Sequence, residues 1–71
     1  MNKERLEKAK ELLEIQGASG NWDYCEYMRG MYNGMELIIA ILEEREPVYR
    51  DAPVKYKDGK KGLTINVKTV E

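Results

Sequence analysis

The long apolar stretch from Tyr24 to Leu42 constrains the fold of this chain more than any other feature. Its apolar residues and glycines repeat at helical spacing along two neighbouring lines. One line contains Tyr24, Met28, Met31, Met35, Ile38, Ile39 and Leu42, and the other contains Tyr27, Gly30, Gly34, Leu37 and Ile41. A helix with so wide an apolar arc needs cover on two sides. Since a chain of 71 residues has little other material to cover it, the pattern predicts a homo-oligomer assembled through this helix. The expected interface residues are Met31, Met35, Leu37, Ile38 and Ile41.

The stretch before Pro47 is predicted to form two antiparallel helices. Helix 1 is expected over residues 1–16, with Asn2 as its N-cap and Gly17 as a left-handed C-cap. Helix 2 is expected over residues 22–45, and it has to end before Pro47, which lacks the N–H that a helix needs.

The pattern after the second proline changes from helical to alternating. Val54 and Tyr56 fall on one face of an extended segment, and Leu63, Ile65 and Val67 fall on one face of another, with a Gly-containing turn between them. This alternation predicts a β-hairpin over residues 54–70. The predicted fold is therefore α+β, a helical hairpin followed by a C-terminal β-hairpin in a single domain of residues 1–71.

Composition excludes several classes of function. The chain has no histidine and one cysteine, so a His/Cys zinc site and an internal disulfide have no ligands or partners. With 12 basic and 13 acidic side chains, no strong global charge attracts nucleic acid or a membrane. No apolar run approaches 18 residues, which favours a soluble cytosolic protein without a membrane partner.

The sequence also argues against an enzyme, and no cofactor or catalytic residue is predicted. Neither a phosphate loop nor a dinucleotide fingerprint is present. A nucleophilic Cys25 would need a nearby base or cation, whereas Asp23 and Glu26 beside it are acidic. Glu36, Glu43 and Glu44 are interpreted as the solvated polar side of helix 2, so no metal site is predicted.

Gly30 and Gly34 need a specific explanation, because each glycine inside a helix costs roughly 0.5–1 kcal/mol relative to alanine. One interpretation is close packing against helix 1 or against a second copy. The other is a ligand pocket floored by the two glycines. The predicted ligand-binding residues are Trp22, Tyr24, Tyr27, Arg29, Gly30, Asn33 and Gly34, and Tyr32 is a further wall of the pocket. In such a pocket the aromatic rings would stack on a nucleobase, while Arg29 and Asn33 would contact phosphate and base edges.

The lysines of the predicted hairpin leave a third option. Lys55, Lys57, Lys60, Lys61 and Lys68 could meet phosphates of a nucleic acid. Lysine-rich edges also protect hairpins against aggregation, and we favour that interpretation.

The residues "GNWDYCEYMRGMYNGM" followed by "EPVYRDAP" resemble a group of short, mostly uncharacterised proteins of tailed bacteriophages and prophages. The resemblance covers about residues 12–53, and the tryptophan and Asn33-Gly34 elements are its most specific part. It implies a phage accessory protein in the host cytoplasm that counters host antiviral defence.

Small phage proteins of this kind act in two main physical ways. Some sequester a nucleotide-like signal molecule in pockets between protomers, and others block a host defence protein, as anti-CRISPR proteins do. The wide apolar arc and the aromatic, Arg and Asn groups near glycine favour the first way. The function expected from the sequence is thus a non-enzymatic homo-oligomer that sequesters a nucleotide-like ligand, with the protein blocker and the basic-hairpin nucleic-acid binder as alternatives.

Overall fold

The chain folds around two packed helices. A computed structural model describes residues 2–62, and within that range it contains α1, Lys3–Gln16, and α2, Glu26–Leu42. Gln16, the last residue of α1, donates to the carbonyl of Met28 near the start of α2, and Lys10 in the middle of α1 meets Glu43 at the end of α2 at 2.7 Å. The helices therefore run antiparallel, and the predicted helical hairpin is confirmed.

The ends of α1 follow local signals in the sequence. The side-chain oxygen of Asn2 accepts hydrogen bonds from the N–H groups of Glu4 at 2.7 Å and Arg5 at 3.3 Å, so the predicted N-cap is confirmed. Gly17 ends the helix, as expected, with its N–H donating to the carbonyl of Leu13 at 2.9 Å. Its φ of −84° is not left-handed, however, so this part of the prediction is wrong.

The second helix begins later than predicted, at Glu26, because the preceding residues form tight turns. The N–H of Gly20 donates to the carboxylate of Asp23 at 2.6 Å, and the N–H of Tyr24 donates to the carbonyl of Asn21 at 3.2 Å. The Asp23 side chain thus closes the turn before it and does not cap α2.

The same helix ends earlier than predicted, at Leu42. Glu44 adopts the left-handed conformation with a φ of 56°, and the N–H of Arg45 reaches back to the carbonyl of Ala40 at 3.0 Å. This is a Schellman termination, in which glycine is the usual left-handed residue. Since glutamate gives no such signal, the sequence indicated Pro47 as the stop.

The predicted C-terminal β-hairpin is wrong. Residues 2–62 contain no β-strand, only an isolated antiparallel bridge between Lys55 and Lys61. The N–H groups of Lys57 and Asp58 donate to the carbonyls of Asp23 and Tyr24, each at 3.0 Å, so this backbone pairs with the loop before α2 instead of extending a ladder. The predicted second strand, from residue 63 onwards, lies outside the described residues. The fold class α+β is corrected to a helical hairpin with an irregular segment packed on it.

We call residues 46–56 the strap, because they form neither helix nor strand and contact α2 through Val48, Arg50 and Tyr56. The fully or nearly buried residues lie where the strap and α1 meet α2: Tyr32, Glu36, Ile39, Ala40 and Tyr56. No residue of α1 is fully buried. Neither helix in this part of the chain is long and apolar enough to cross a membrane.

Candidate functional site

One side of α2 carries polar side chains that hold the strap. The Asn33 amide binds both main-chain groups of Arg50: its nitrogen donates to the carbonyl at 3.1 Å, and its oxygen accepts from the N–H at 2.9 Å. Arg29 donates to the same carbonyl at 2.9 Å and to the hydroxyl of Tyr56 at 2.9 Å. The guanidinium and amide expected to contact a ligand are therefore engaged with the chain's own backbone.

Glu26 closes this network at the first turn of α2. Its carboxylate accepts hydrogen bonds from Arg29 and from the hydroxyl of Tyr56. These two bonds, Arg29 first, lower the pKa of the Glu26 carboxyl. Burial and the bond to Glu26 raise the pKa of the Tyr56 hydroxyl, so it stays a donor near neutral pH.

Glu36 is buried under the strap, with its residue only 4% exposed. Arg45 donates to both of its carboxylate oxygens, at 2.6 and 3.2 Å, and the N–H of Val48 donates at 2.8 Å. The bonds from Arg45, and secondarily from Val48, lower the pKa of Glu36 although burial opposes them. The expectation of a solvated Glu36 is therefore wrong: it is an internal anchor for the strap.

The Arg50 side chain is held between two aromatic rings. Its guanidinium carbon lies 4.3 Å from the centre of the Tyr32 ring and 5.0 Å from that of Trp22, which is cation–π distance. Its Nη1 donates to the carbonyl of Gly17 at 2.7 Å. Trp22 thus joins the loop before α2 to the strap.

The opposite side of α2 is exposed and apolar. From Tyr27 onwards, every exposed residue of the helix is apolar, aromatic or glycine. We call this surface the open face, and it consists of Tyr27, Gly30, Met31, Gly34, Leu37, Ile38, Ile41 and Leu42. Its most exposed large members are Tyr27 at 72%, Ile41 at 62% and Ile38 at 57%. The charged side chains of α2 lie in its first turn or contact the strap, so the open face carries no charged side chain.

A groove of about 380 Å³ between the helices borders the open face. Its lining residues are Ala9, Leu12, Gly34, Met35, Ile38 and Ile39. A Cβ added to Gly30 or Gly34 would meet nothing within 4 Å. Packing among residues 2–62 therefore requires neither glycine, so close packing against helix 1 is not the reason for them.

The seven predicted ligand residues are divided between two sides of the molecule. Trp22, Arg29 and Asn33 belong to the strap contacts, whereas Tyr27, Gly30 and Gly34 belong to the open face. Tyr24 lies in the loop before α2 and is half-exposed. One chain alone does not bring all seven together, and a pocket shared between copies stays a prediction.

Sequence reasoning missed the residues that hold the strap: Glu36, Arg45, Arg50 and Tyr56. A partial signal exists, because Arg29, Asn33 and Glu36 stand four and three residues apart on one side of an otherwise apolar helix. Such a polar line indicates a hydrogen-bonding partner segment as readily as it indicates solvent.

Residues 2–62 contain no group of three or more His, Cys, Asp or Glu side chains placed to hold a metal ion. The lysines considered for nucleic-acid binding lie at and beside the turn after the strap, where Lys57 approaches Asp23 at 4.0 Å. Lys68 lies outside the described residues.

Comparison of the chain with models of known families, with characterised proteins and with solved structures finds no match.

Proposed function

We propose that this chain is a non-enzymatic binding protein that works as a homo-oligomer assembled through the open face of α2. The observation that carries the proposal is the distribution of polarity on that helix. The charged side chains of α2 lie in its first turn or contact the strap and Arg45. The exposed residues between Tyr27 and Leu42 are uncharged and mostly apolar. A helix facing water normally has the reverse arrangement.

The size of the open face supports an assembly interface. If each of the six large side chains offers about 150–200 Å² when fully exposed, their exposed fractions leave roughly 450–600 Å² of mainly apolar surface on α2. Leu12 and Ile15 of α1 are also more than half exposed and enlarge the apolar surface. A standard interface buries about 800 Å² on each partner, and patches larger than a few hundred Å² are uncommon on monomers.

A second copy suits this face because the surface is uncharged. Two copies of a charged patch repel each other, whereas two uncharged apolar patches do not. The net charge of −1 likewise opposes association very little.

Of the two kinds of target considered for the assembled protein, the contacts favour a protein over a nucleotide. A phosphate needs a cation or a set of donors, but Arg29 and Asn33 are bound to the strap and the open face has no charge. The biological setting that we propose, a phage accessory protein that blocks a host defence protein, rests on the resemblance of residues 12–53.

The test of the proposal is the mass of the protein in solution, measured by light scattering. We expect wild type to have a multiple of 8.3 kDa, and Ile41→Glu to have the monomer mass because it places a charge in the interface. Val54→Glu is the matched control, since Val54 is 91% exposed on the strap, and it should keep the wild-type mass. A monomeric wild type at high micromolar concentration would refute the proposal.

A further inference from the structure

The open face has an internal symmetry about Gly34. Its residues at three, four and seven positions before Gly34 are Met31, Gly30 and Tyr27. The residues at the same distances after it are Leu37, Ile38 and Ile41. Since all of them lie on one side of the helix, α2 has a natural centre halfway along its apolar surface.

Because of this symmetry, two copies of the open face are complementary only when the two α2 helices run antiparallel. In an antiparallel pair centred on Gly34, each position before the centre meets the equivalent position after it on the partner. Gly30 then lies opposite the partner's Ile38, so that a residue without a side chain receives a branched one. Tyr27 lies opposite the partner's Ile41, and Met31 opposite the partner's Leu37.

A parallel pair would place each position against its own copy. Tyr27 would meet the partner's Tyr27, and Ile38 would meet the partner's Ile38, while both glycines would face glycine. Large residues would then hold the helices apart on either side of an unfilled gap, which close packing disfavours.

The glycines and the helix dipoles support the same arrangement. Two glycines cost α2 roughly 1–2 kcal/mol together, and in the described part of the chain no atom lies within 4 Å of a Cβ placed on either of them. At Gly34 the absence of side chains lets two helix axes approach to about 8 Å, the low end of the usual range. An antiparallel pair also places the positive N-terminal end of each helix beside the negative C-terminal end of the other.

We propose, building on the proposed function, that two copies pair through α2 in antiparallel register with Gly34 at the two-fold axis. Gly30 is the socket for the partner's Ile38, and Tyr27 packs on the partner's Ile41. The occupant of the open face is thus a second copy of this chain.

Cysteine cross-linking tests the register. In a Cys25→Ser background, we compare Tyr27→Cys, Ile41→Cys and the double variant under a glutathione redox buffer, with dimers quantified on non-reducing gels. The double variant should become mostly cross-linked, whereas each single variant should stay largely uncross-linked, because a disulfide needs its Cβ atoms about 3.5–4.5 Å apart. Positions 27 and 41 are about 21 Å apart along one helix, so an internal disulfide cannot form.

A second pair of sites, Met31→Cys and Leu37→Cys, repeats the experiment closer to the axis, and light scattering checks that each reduced variant keeps the dimer mass. Cross-linking of the single variants would show a parallel pair and overturn the register. A dimer in which neither double variant cross-links would overturn it as well. A monomeric wild-type protein would instead refute the proposed function, so the two failures are distinguishable.

Discussion

Gly17 and Gly34 differ in the space around them. A Cβ on Gly17 would lie 2.7 Å from a ring atom of Tyr32 and 3.2 Å from the guanidinium of Arg50, so glycine there makes room for the cation–π stack. A Cβ on Gly34 would meet nothing. Gly17 is thus required by the fold of the single chain, whereas Gly34, in our proposal, serves the contact with a second copy.

Gly17→Ala should lower the free energy of unfolding by about 1–3 kcal/mol, because the Tyr32 ring has to move in a packed site. The matched variant is Gly34→Ala in the Ile41→Glu background, which we expect to be monomeric. There the alanine should raise the free energy of unfolding by about 0.5–1 kcal/mol, its intrinsic gain in helix propensity. Urea unfolding followed by circular dichroism measures both. A loss of stability with Gly34→Ala in that background would mean that the fold itself needs this glycine.

At the residue scale, the sequence predicted what depends on near neighbours and missed what depends on distant ones. The Asn2 cap was predictable because its partners are two and three residues away. The roles of Glu36 and Arg50 were not, because their partners Val48 and Gly17 are separated from them by 12 and 33 positions.

At the scale of elements, the strap is held to α2 mainly by polar contacts. Glu36 is central to this attachment, since it accepts hydrogen bonds from both Arg45 and the backbone of Val48. A buried carboxylate contributes in this way only while it is ionised, which makes docking of the strap sensitive to acid.

The sign of the pH effect follows from the lowered pKa of Glu36. Its pKa in the folded chain lies below the ordinary value of 4.5, so its contribution to stability is complete above that pH and is lost as the pH falls through the folded value. Glu36→Gln should lower the free energy of unfolding at pH 7 by about 1–2 kcal/mol. We expect a small value for the loss of a buried carboxylate, because its partner Arg45 is partly exposed to solvent. The difference should shrink as the pH falls below 4.5.

Urea unfolding of wild type and Glu36→Gln at several pH values between 7 and 3 measures this difference. Glu14→Gln is the control, because it removes one negative charge from an exposed side chain of α1, and we expect it to stay close to wild type throughout. A gap between wild type and Glu36→Gln that is the same at every pH would contradict the assigned role of the carboxylate.

The elements themselves were predictable to different degrees. Apolar residues recur at helical spacing in the local sequence, so the existence of both helices was predictable from it. Only the predicted ends of the helices were wrong. The alternation of Val54 and Tyr56 predicts a strand, although a segment packed on a helix can show the same alternation. A strand and such a segment differ in the acceptors of their backbone N–H groups. Here the acceptors are the carbonyls of Asp23 and Tyr24 in the loop before α2, and the local sequence does not specify them.

For the whole molecule, folding and assembly should be coupled. The described part of the chain buries only a few side chains fully or nearly so, with Ala40, Ile39 and Tyr56 the most buried. Chains of about this size bury a smaller fraction of their surface on folding than larger domains do, and they are only marginally stable alone. In the proposed dimer a second copy covers the open face and buries further apolar surface, so part of the stability should come from association.

The coupling predicts a melting temperature that depends on protein concentration. A tenfold increase in concentration favours a dimer by about 1.4 kcal/mol, or about 0.7 kcal/mol for each chain. For a domain of this size, that corresponds to a rise in melting temperature of about 3–6 °C per tenfold step. Calorimetry of wild type across two decades of concentration should show this rise, and Val54→Glu should show it too. Ile41→Glu should melt at a lower temperature that is independent of concentration. A constant melting temperature for a wild type that light scattering finds dimeric would mean that the dimer dissociates before the chains unfold, and that each chain is stable without its partner.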